Sequence, residues 1–148
     1  MHHFGMSNAS ILLIDDEPET LTDLAEILSR NGFACRCAKD AGTAREMALQ
    51  SAPDLIISDI NLGGQNGLEL CASLKDAHMS LIDVPVIFLS AAQIPHIIRR
   101  AREAGGTFYL RKPVDPDVLI ELVDKALWMP HLLGHQVVRP RALGALND

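Results

Sequence analysis

The chain has 148 residues, 48% of them hydrophobic, with a formal net charge of −6 and a sequence pI near 5.4. That length suits one domain around a single core, and with aromatics at only 4% that core is expected to be aliphatic. The acidic balance, without a basic stripe or aromatics interleaved with basic residues, argues against direct nucleic-acid binding. No apolar run approaches the roughly 18 residues of a membrane span, and Met1–Met6 has no apolar segment of signal-peptide type. Residues 1–7 are read as a leader or expression remnant, and a cytoplasmic location is expected.

Strand one is placed at Ser10–Ile14, an apolar run that stops at Asp15-Asp16-Glu17-Pro18. Helix one follows at about Glu19–Arg30, with Leu21, Leu24, Ile27 and Leu28 on one stripe and Asn31-Gly32 as its left-handed stop. Strand two is Phe33–Ala38. Helix two, near Ala41–Ser51, buries Ala44, Met47 and Ala48. Strand three, Leu55–Ser58, is continuously apolar in the manner of a central parallel strand and leads into Asp59. Helix three starts near Gly67 and presents Leu68, Cys71 and Leu74. Strand four is Val84–Leu89, followed by Ser90. Helix four spans roughly Ile94–Ala104, with Pro95 in its first turn, so it begins late or is locally stiff. Strand five is Thr107–Leu110, followed by Arg111-Lys112-Pro113. Helix five has Asp115 as N-cap and Pro116 at its first position.

Five βα units with right-handed crossovers give an α/β fold, a doubly wound parallel sheet. Pro130 ends the pattern. The domain is set at 8–128, with 129–148 as a C-terminal tail or linker root that could instead pack on helix five or mediate self-association. Cys35, Cys37 and Cys71 lack a second pair of soft ligands, so they are taken as small apolar side chains in a reducing compartment. His78, His96, His131 and His135 are taken as surface residues.

Ligands of open α/β sheets sit at the carboxyl ends of the strands. There this chain places Asp15, Asp16 and Asp59, the hydroxyl of Ser90 and the ammonium of Lys112. Three carboxylates in one crevice repel one another, and a hard divalent cation relieves this. All-oxygen ligands suit Mg²⁺, with Mn²⁺ as a substitute. Asp59, apart from the Asp15-Asp16 pair, is the candidate nucleophile toward a phosphoryl donor, and Lys112 would stabilise the equatorial oxygens. Each element also has a plain structural alternative. Asp15-Asp16 could cap helix one, Asp59 could be a solvated turn residue, Ser90 could form a turn, Lys112 could snorkel and Tyr109 could be core. Four strand ends carrying complementary groups by accident is the less economical account.

The ordered motifs Ile14-Asp15-Asp16-Glu17, Asp59-Ile60-Asn61-Leu62 with Gly67-Leu68-Glu69-Leu70, Ser90-Ala91, and Tyr109-Leu110-Arg111-Lys112-Pro113 cover nearly all of residues 10–127. In that order and spacing the sequence resembles a response-regulator receiver domain of bacterial two-component signalling, of the chemotaxis-regulator kind. The resemblance implies a flavodoxin-like (βα)5 fold with strand order 2-1-3-4-5. It implies Asp59 as phosphoacceptor, Asp16 and Asp15 as direct and largely water-mediated Mg²⁺ ligands, and Asn61 as a ligand through its backbone carbonyl. It further implies a phosphoryl contact from Lys112 ahead of a cis bond to Pro113, and a switch through Ser90 and Tyr109. No organic cofactor is implied. A histidine kinase or histidine phosphotransfer protein would be the donor, and helix four, strand five and helix five the responding face and a candidate homodimer face.

The sequence departs from the family where Gly63-Gly64 stands in place of a frequent proline, which suggests a mobile loop. Ala92, small and apolar, cannot position an attacking water, so slow-to-moderate autodephosphorylation is expected. The domain would turn over no separate substrate and so would not be an enzyme. An aspartyl-phosphate phosphatase is a poorer fit, since Asp59-Ile60-Asn61 lacks the second acid of such sites. A phosphorylation-independent scaffold would be expected to lack an acid or the lysine. A receiver fragment of a larger regulator or hybrid kinase fits as well as a stand-alone protein.

Overall fold

The computed structural model describes residues 8–128. The elements run in strict alternation: β1 Ser10–Ile14, α1 Pro18–Arg30, β2 Ala34–Ala38, α2 Ala41–Gln50, β3 Leu55–Asp59, α3 Gly67–Ala77, β4 Val86–Ser90, α4 Ile97–Glu103, β5 Phe108–Arg111 and α5 Pro116–Trp128. All strand pairings are parallel and the sheet order is β2-β1-β3-β4-β5. The expected doubly wound architecture is therefore the observed one. The assignments made for residues 1–7 and 129–148 lie outside the described residues.

The central strands β1, β3 and β4 are buried on both faces, and alternate residues feed two separate apolar layers. Ile11, Leu13, Leu55, Ile57, Ile87 and Leu89 pack against Leu21, Leu24 and Leu28 of α1 and Leu119, Leu122 and Val123 of α5. Leu12, Ile14, Ile56, Val86 and Phe88 pack against α2, α3 and α4 through Ala44, Ala48, Leu68, Cys71, Leu74 and Ala101. This is the period-two consequence of a strand covered on both sides. The core is aliphatic except for its largest fully buried members, Phe88 and Phe108, and for Phe33 and Tyr109.

Local chemistry fixes the helix starts. Asp115 accepts from the amides of Asp117 and Val118, with Pro116 where no amide partner is needed. Asp40 accepts from Thr43 at the start of α2, and Asn66 from Leu68 and Glu69 at the start of α3. Helix α4 begins three residues later than the apolar pattern suggests. Pro95 disfavours helical geometry at Ile94, and His96 then sits in the left-handed region at φ 56° without a side-chain cap. Strand β4 likewise starts at Val86 rather than Val84, because a single 3₁₀ turn, Met79–Leu81, takes up the preceding chain and Val84 donates back to Leu81. Lys75 ties α3 to that connection by donating to the carbonyls of Ile82 and Val84.

Candidate functional site

The strand ends bring the sequence-selected groups to one edge of the sheet. Asp15 directly follows β1 and Asp59 closes β3; both are almost fully buried, at 1% and 6% exposure. Asp16 is exposed, and one carboxylate oxygen from each of the three acids lies within 4.8 Å of the others. The two buried acids divide their oxygens the same way. Asp15 Oδ1 accepts from the Glu17 amide at 2.9 Å, and Asp59 Oδ1 from the Asn61 amide at 3.0 Å. Their Oδ2 atoms share the Lys112 ammonium, at 2.8 Å from Asp15 and 2.6 Å from Asp59.

Lys112 comes from just beyond β5. Its amide donates to the Ser90 carbonyl, which continues the β4–β5 ladder, and its peptide bond to Pro113 is cis. Burial alone would depress the ammonium's pKa, but hydrogen bonds to Asp15 and Asp59 and the charges of both outweigh it and raise the value well above the ordinary lysine range. Exposed Glu17 adds a looser contact, 3.6 Å from Lys112. Three carboxylates facing one ammonium leave the site with an excess of negative charge. Hard oxygen ligands with that excess fit a divalent cation of the Mg²⁺ class.

Asn61 forms an antiparallel bridge with Asn66 across the Gly63-Gly64 turn. The bridge's hydrogen bonds run from Leu62 to Gln65 and from Gly67 to Ile60, so they do not consume the Asn61 carbonyl. Gly63 and Gly64 have φ of 62° and 96°, the two consecutive left-handed residues of a tight hairpin turn. The glycines suggested a mobile loop from sequence; here they are the residues that let it close. A side chain at Gly63 would meet Asp16 Oδ2 at 2.9 Å.

Ser90 ends β4 with 2% exposure, and its hydroxyl is engaged within its own turn. It lies 3.0 Å from the Ala92 carbonyl and 3.1 Å from the Ala92 amide. Tyr109, one strand over, is buried at 7% exposure. Burial pushes its phenol up, opposed by the charge of Arg111 and a hydrogen bond with Ser90. The Tyr109 phenol thus lies near a Ser90 hydroxyl that is bonded to Ala92, while Asp59 is held by Lys112 and Asn61. His78 and His96 are exposed, and the only cluster of potential metal ligands among the described residues is Asp15, Asp16 and Asp59.

A cleft of about 680 Å³ opens over these groups, lined also by Gln65, Ala92 and Arg100. Gln65 and Arg100 were not singled out from sequence. Gln65 accepts from the Ala41 amide and so pins the glycine turn to α2. Arg100 is one of three arginines within four positions of α4, and no spacing rule separates it from its neighbours.

A family model described as the response regulator receiver domain matches residues 11–124. The chain belongs to this family. PilH of Pseudomonas aeruginosa is 30% identical over 120 residues, covering 80% of this chain and 98% of PilH. The transcriptional regulator NtrC of Rhizobium meliloti is 32% identical over 125 residues, covering 84% of this chain but 25% of NtrC. The chain therefore spans about a quarter of NtrC and nearly all of PilH. Among solved structures, the chemotaxis protein CheY4 of Vibrio cholerae superposes with a TM-score of 0.76 at 24% identity, covering 81% of this chain and 99% of that one, a likeness of fold. NtrX of Brucella abortus gives 0.74 at 33% identity, over 81% of this chain and 27% of that one. No helix among the described residues is long and apolar enough to cross a membrane.

Proposed function

We propose that this receiver domain accepts a phosphoryl group on Asp59 from a histidine kinase or histidine phosphotransfer protein in the cytoplasm, and transmits that event through α4, β5 and α5. The observation that carries this is the convergence of Asp15, Asp16, Asp59 and Lys112 at one sheet edge. An Asp59 oxygen attacks the phosphorus, the bond from phosphorus to the donor nitrogen breaks, and an acyl phosphate forms. Lys112, already 2.6 Å from Asp59 Oδ2, is placed to follow the charge onto the phosphoryl oxygens. Asp15, Asp16, Asp59 and the Asn61 carbonyl would hold Mg²⁺, which when bound supplies positive charge against the phosphoryl oxygens.

The resting contacts make the switch inexpensive. Ser90 gives up a neutral bond to Ala92, worth about 1 kcal/mol, for a bond to a charged group worth roughly 1.5–3 kcal/mol. Moving a two-state equilibrium from 1:99 to 99:1 takes about 5.5 kcal/mol. Ser90 then nets about 0.5–2 kcal/mol and one newly engaged amide roughly 1.5–3 kcal/mol, which together supply a large share of it. The Tyr109 phenol lies close to the Ser90 hydroxyl and would follow it. The domain modifies only itself and turns over no other substrate. Ala92 offers no group to orient a hydrolytic water, which supports a slow-to-moderate loss of the phosphoryl group.

The exposed face of α4 and β5 carries Arg99, Arg102 and Arg111, while α5 exposes Asp117 and Glu121. That complementarity supports a partner, or a second copy, docking there. The test is intact-mass spectrometry after incubation with acetyl phosphate and Mg²⁺. A metal-dependent gain of one phosphoryl group in wild type but not in Asp59→Asn is expected. No gain in folded wild type would replace this proposal with a phosphorylation-independent scaffold.

A further inference from the structure

Arg100 is a cation at the mouth of the site that the resting geometry leaves uncommitted. It lines the same cleft as Asp16, Asp59, Ser90 and Lys112. Its side chain makes no hydrogen bond or ion pair with the described residues, although Asp16 and Glu17 line that cleft too. Its position on α4 explains the placement. Residues three and four apart share a helix face, so Arg100 flanks the buried stripe of Ile97, Ala101 and Ala104, whereas Arg99 lies on the outer side and is absent from the cleft lining.

The charge balance gives this cation a task. A phosphoryl group brings roughly −1.5 to −2 charges and three strong acceptor oxygens. Lys112 is already shared between two carboxylates. A guanidinium binds such oxygens through a fork of donors that an ammonium lacks. The helix that carries it is also short. At seven residues α4 is the shortest α-helix described, and it starts from the left-handed His96 without a side-chain cap.

Resting on the receiver reading above, we propose that Arg100 is a positioning residue that closes onto the phosphoryl oxygens after Asp59 is modified, pulling α4 toward the site as Ser90 and Tyr109 rearrange. Arg100 would thereby couple the site directly to the exposed arginine face of the same helix.

The probe is beryllofluoride, which bonds to a carboxylate oxygen and presents an anionic, tetrahedral face, titrated with Mg²⁺ into the whole chain. Arg100→Gln should weaken binding about tenfold at low salt, the scale of one charge-assisted hydrogen bond at a wet site, and the difference should shrink at high salt. Arg99→Gln, the same loss of charge on the outer side, should bind as wild type does. The Arg100 Nε–H resonance should shift and exchange more slowly on saturation with beryllofluoride but not with Mg²⁺ alone, a signature that a structural role would not give. Arg100→Gln binding like wild type, an unmoved resonance, or Arg99→Gln losing as much as Arg100→Gln would each overturn the inference. Wild type failing to bind beryllofluoride is a separate result, which removes the receiver reading and this inference with it.

Discussion

Replacing Lys112 by methionine tests the electrostatic argument most directly. The substitution keeps the aliphatic bulk and removes the one ammonium that Asp15 and Asp59 share. Their side chains are 1% and 8% exposed, against 14% for Lys112, so neither acid recovers much hydration when the cation goes. Removing one partner of a buried ion pair costs about 3–5 kcal/mol. Each acid keeps one amide donor, from Glu17 and from Asn61, which places the expected loss near the lower end, about 3 kcal/mol. Against a typical total of about 5–15 kcal/mol that is easily measured. Urea denaturation at neutral pH with chelator present should show it as a lowered midpoint. Mg²⁺ at about a hundred times its dissociation constant should return roughly 2.7 kcal/mol, and at one fixed Mg²⁺ concentration the gain should be larger in Lys112→Met than in wild type, because the freed acids bind the cation more tightly. The double variant Lys112→Met/Asp15→Asn should recover part of the loss, because the two sites share a bond and cannot be additive. A Lys112→Met protein that unfolds at the wild-type urea concentration in chelator would refute the claim that the acids are held against their own repulsion.

Two further outcomes follow from close packing and from burial. A methyl group at Gly67 would lie 2.1 Å from the Asp59 carbonyl oxygen, a backbone atom that cannot swing aside, so Gly67→Ala should cost about 3 kcal/mol or more in urea denaturation. Gly63→Ala meets only the mobile end of Asp16 and should cost about 1–2 kcal/mol while weakening Mg²⁺ binding measured by titration. Burial pushes the Cys71 thiol up to about 12 from an ordinary value near 9. Its stabilising contribution is complete below pH ~9 and is lost as pH rises toward ~12, at about 1 kcal/mol per pH unit. Wild type should lose more stability than Cys71→Ala above pH ~9, and iodoacetamide should alkylate exposed Cys37 well before Cys71.

What was legible in the sequence is what local chemistry decides. The run Ile11–Ile14 ending in two acids specifies a covered strand and its ligand-bearing end, and Asp115-Pro116 specifies a helix start through a cap and a missing amide. Element ends shifted by one to three residues where the chain's apolar pattern continues past its hydrogen bonding, as at Val84, or where backbone sterics override it, as at Pro95. The site was legible as an inventory but not as a geometry. Lys112 reaches acids 53 and 97 residues away, and sequence spacing could not say that it would bridge both. Nor could it say that Ser90 would rest in its own turn, or that Arg100 rather than Arg99 would face the cleft.

The cost of the acid cluster itself bears on the choice between a switch and an inert scaffold. Two carboxylates buried beside a third, with one lysine among them, are an expensive way to close a sheet edge: asparagines could take the same amide hydrogen bonds without mutual repulsion. The two buried acids spend one oxygen each on the chain and one on Lys112, the cation that the proposed phosphoryl group would also need. Ser90 is held by a neutral bond to Ala92 that a charged acceptor outcompetes. Sites that break local rules of stability without local compensation are where function is expected. Here the resting state carries unrelieved negative charge; on the reading proposed above a divalent cation would relieve it, and the phosphoryl group would then make its own demand on Lys112, Ser90 and Arg100.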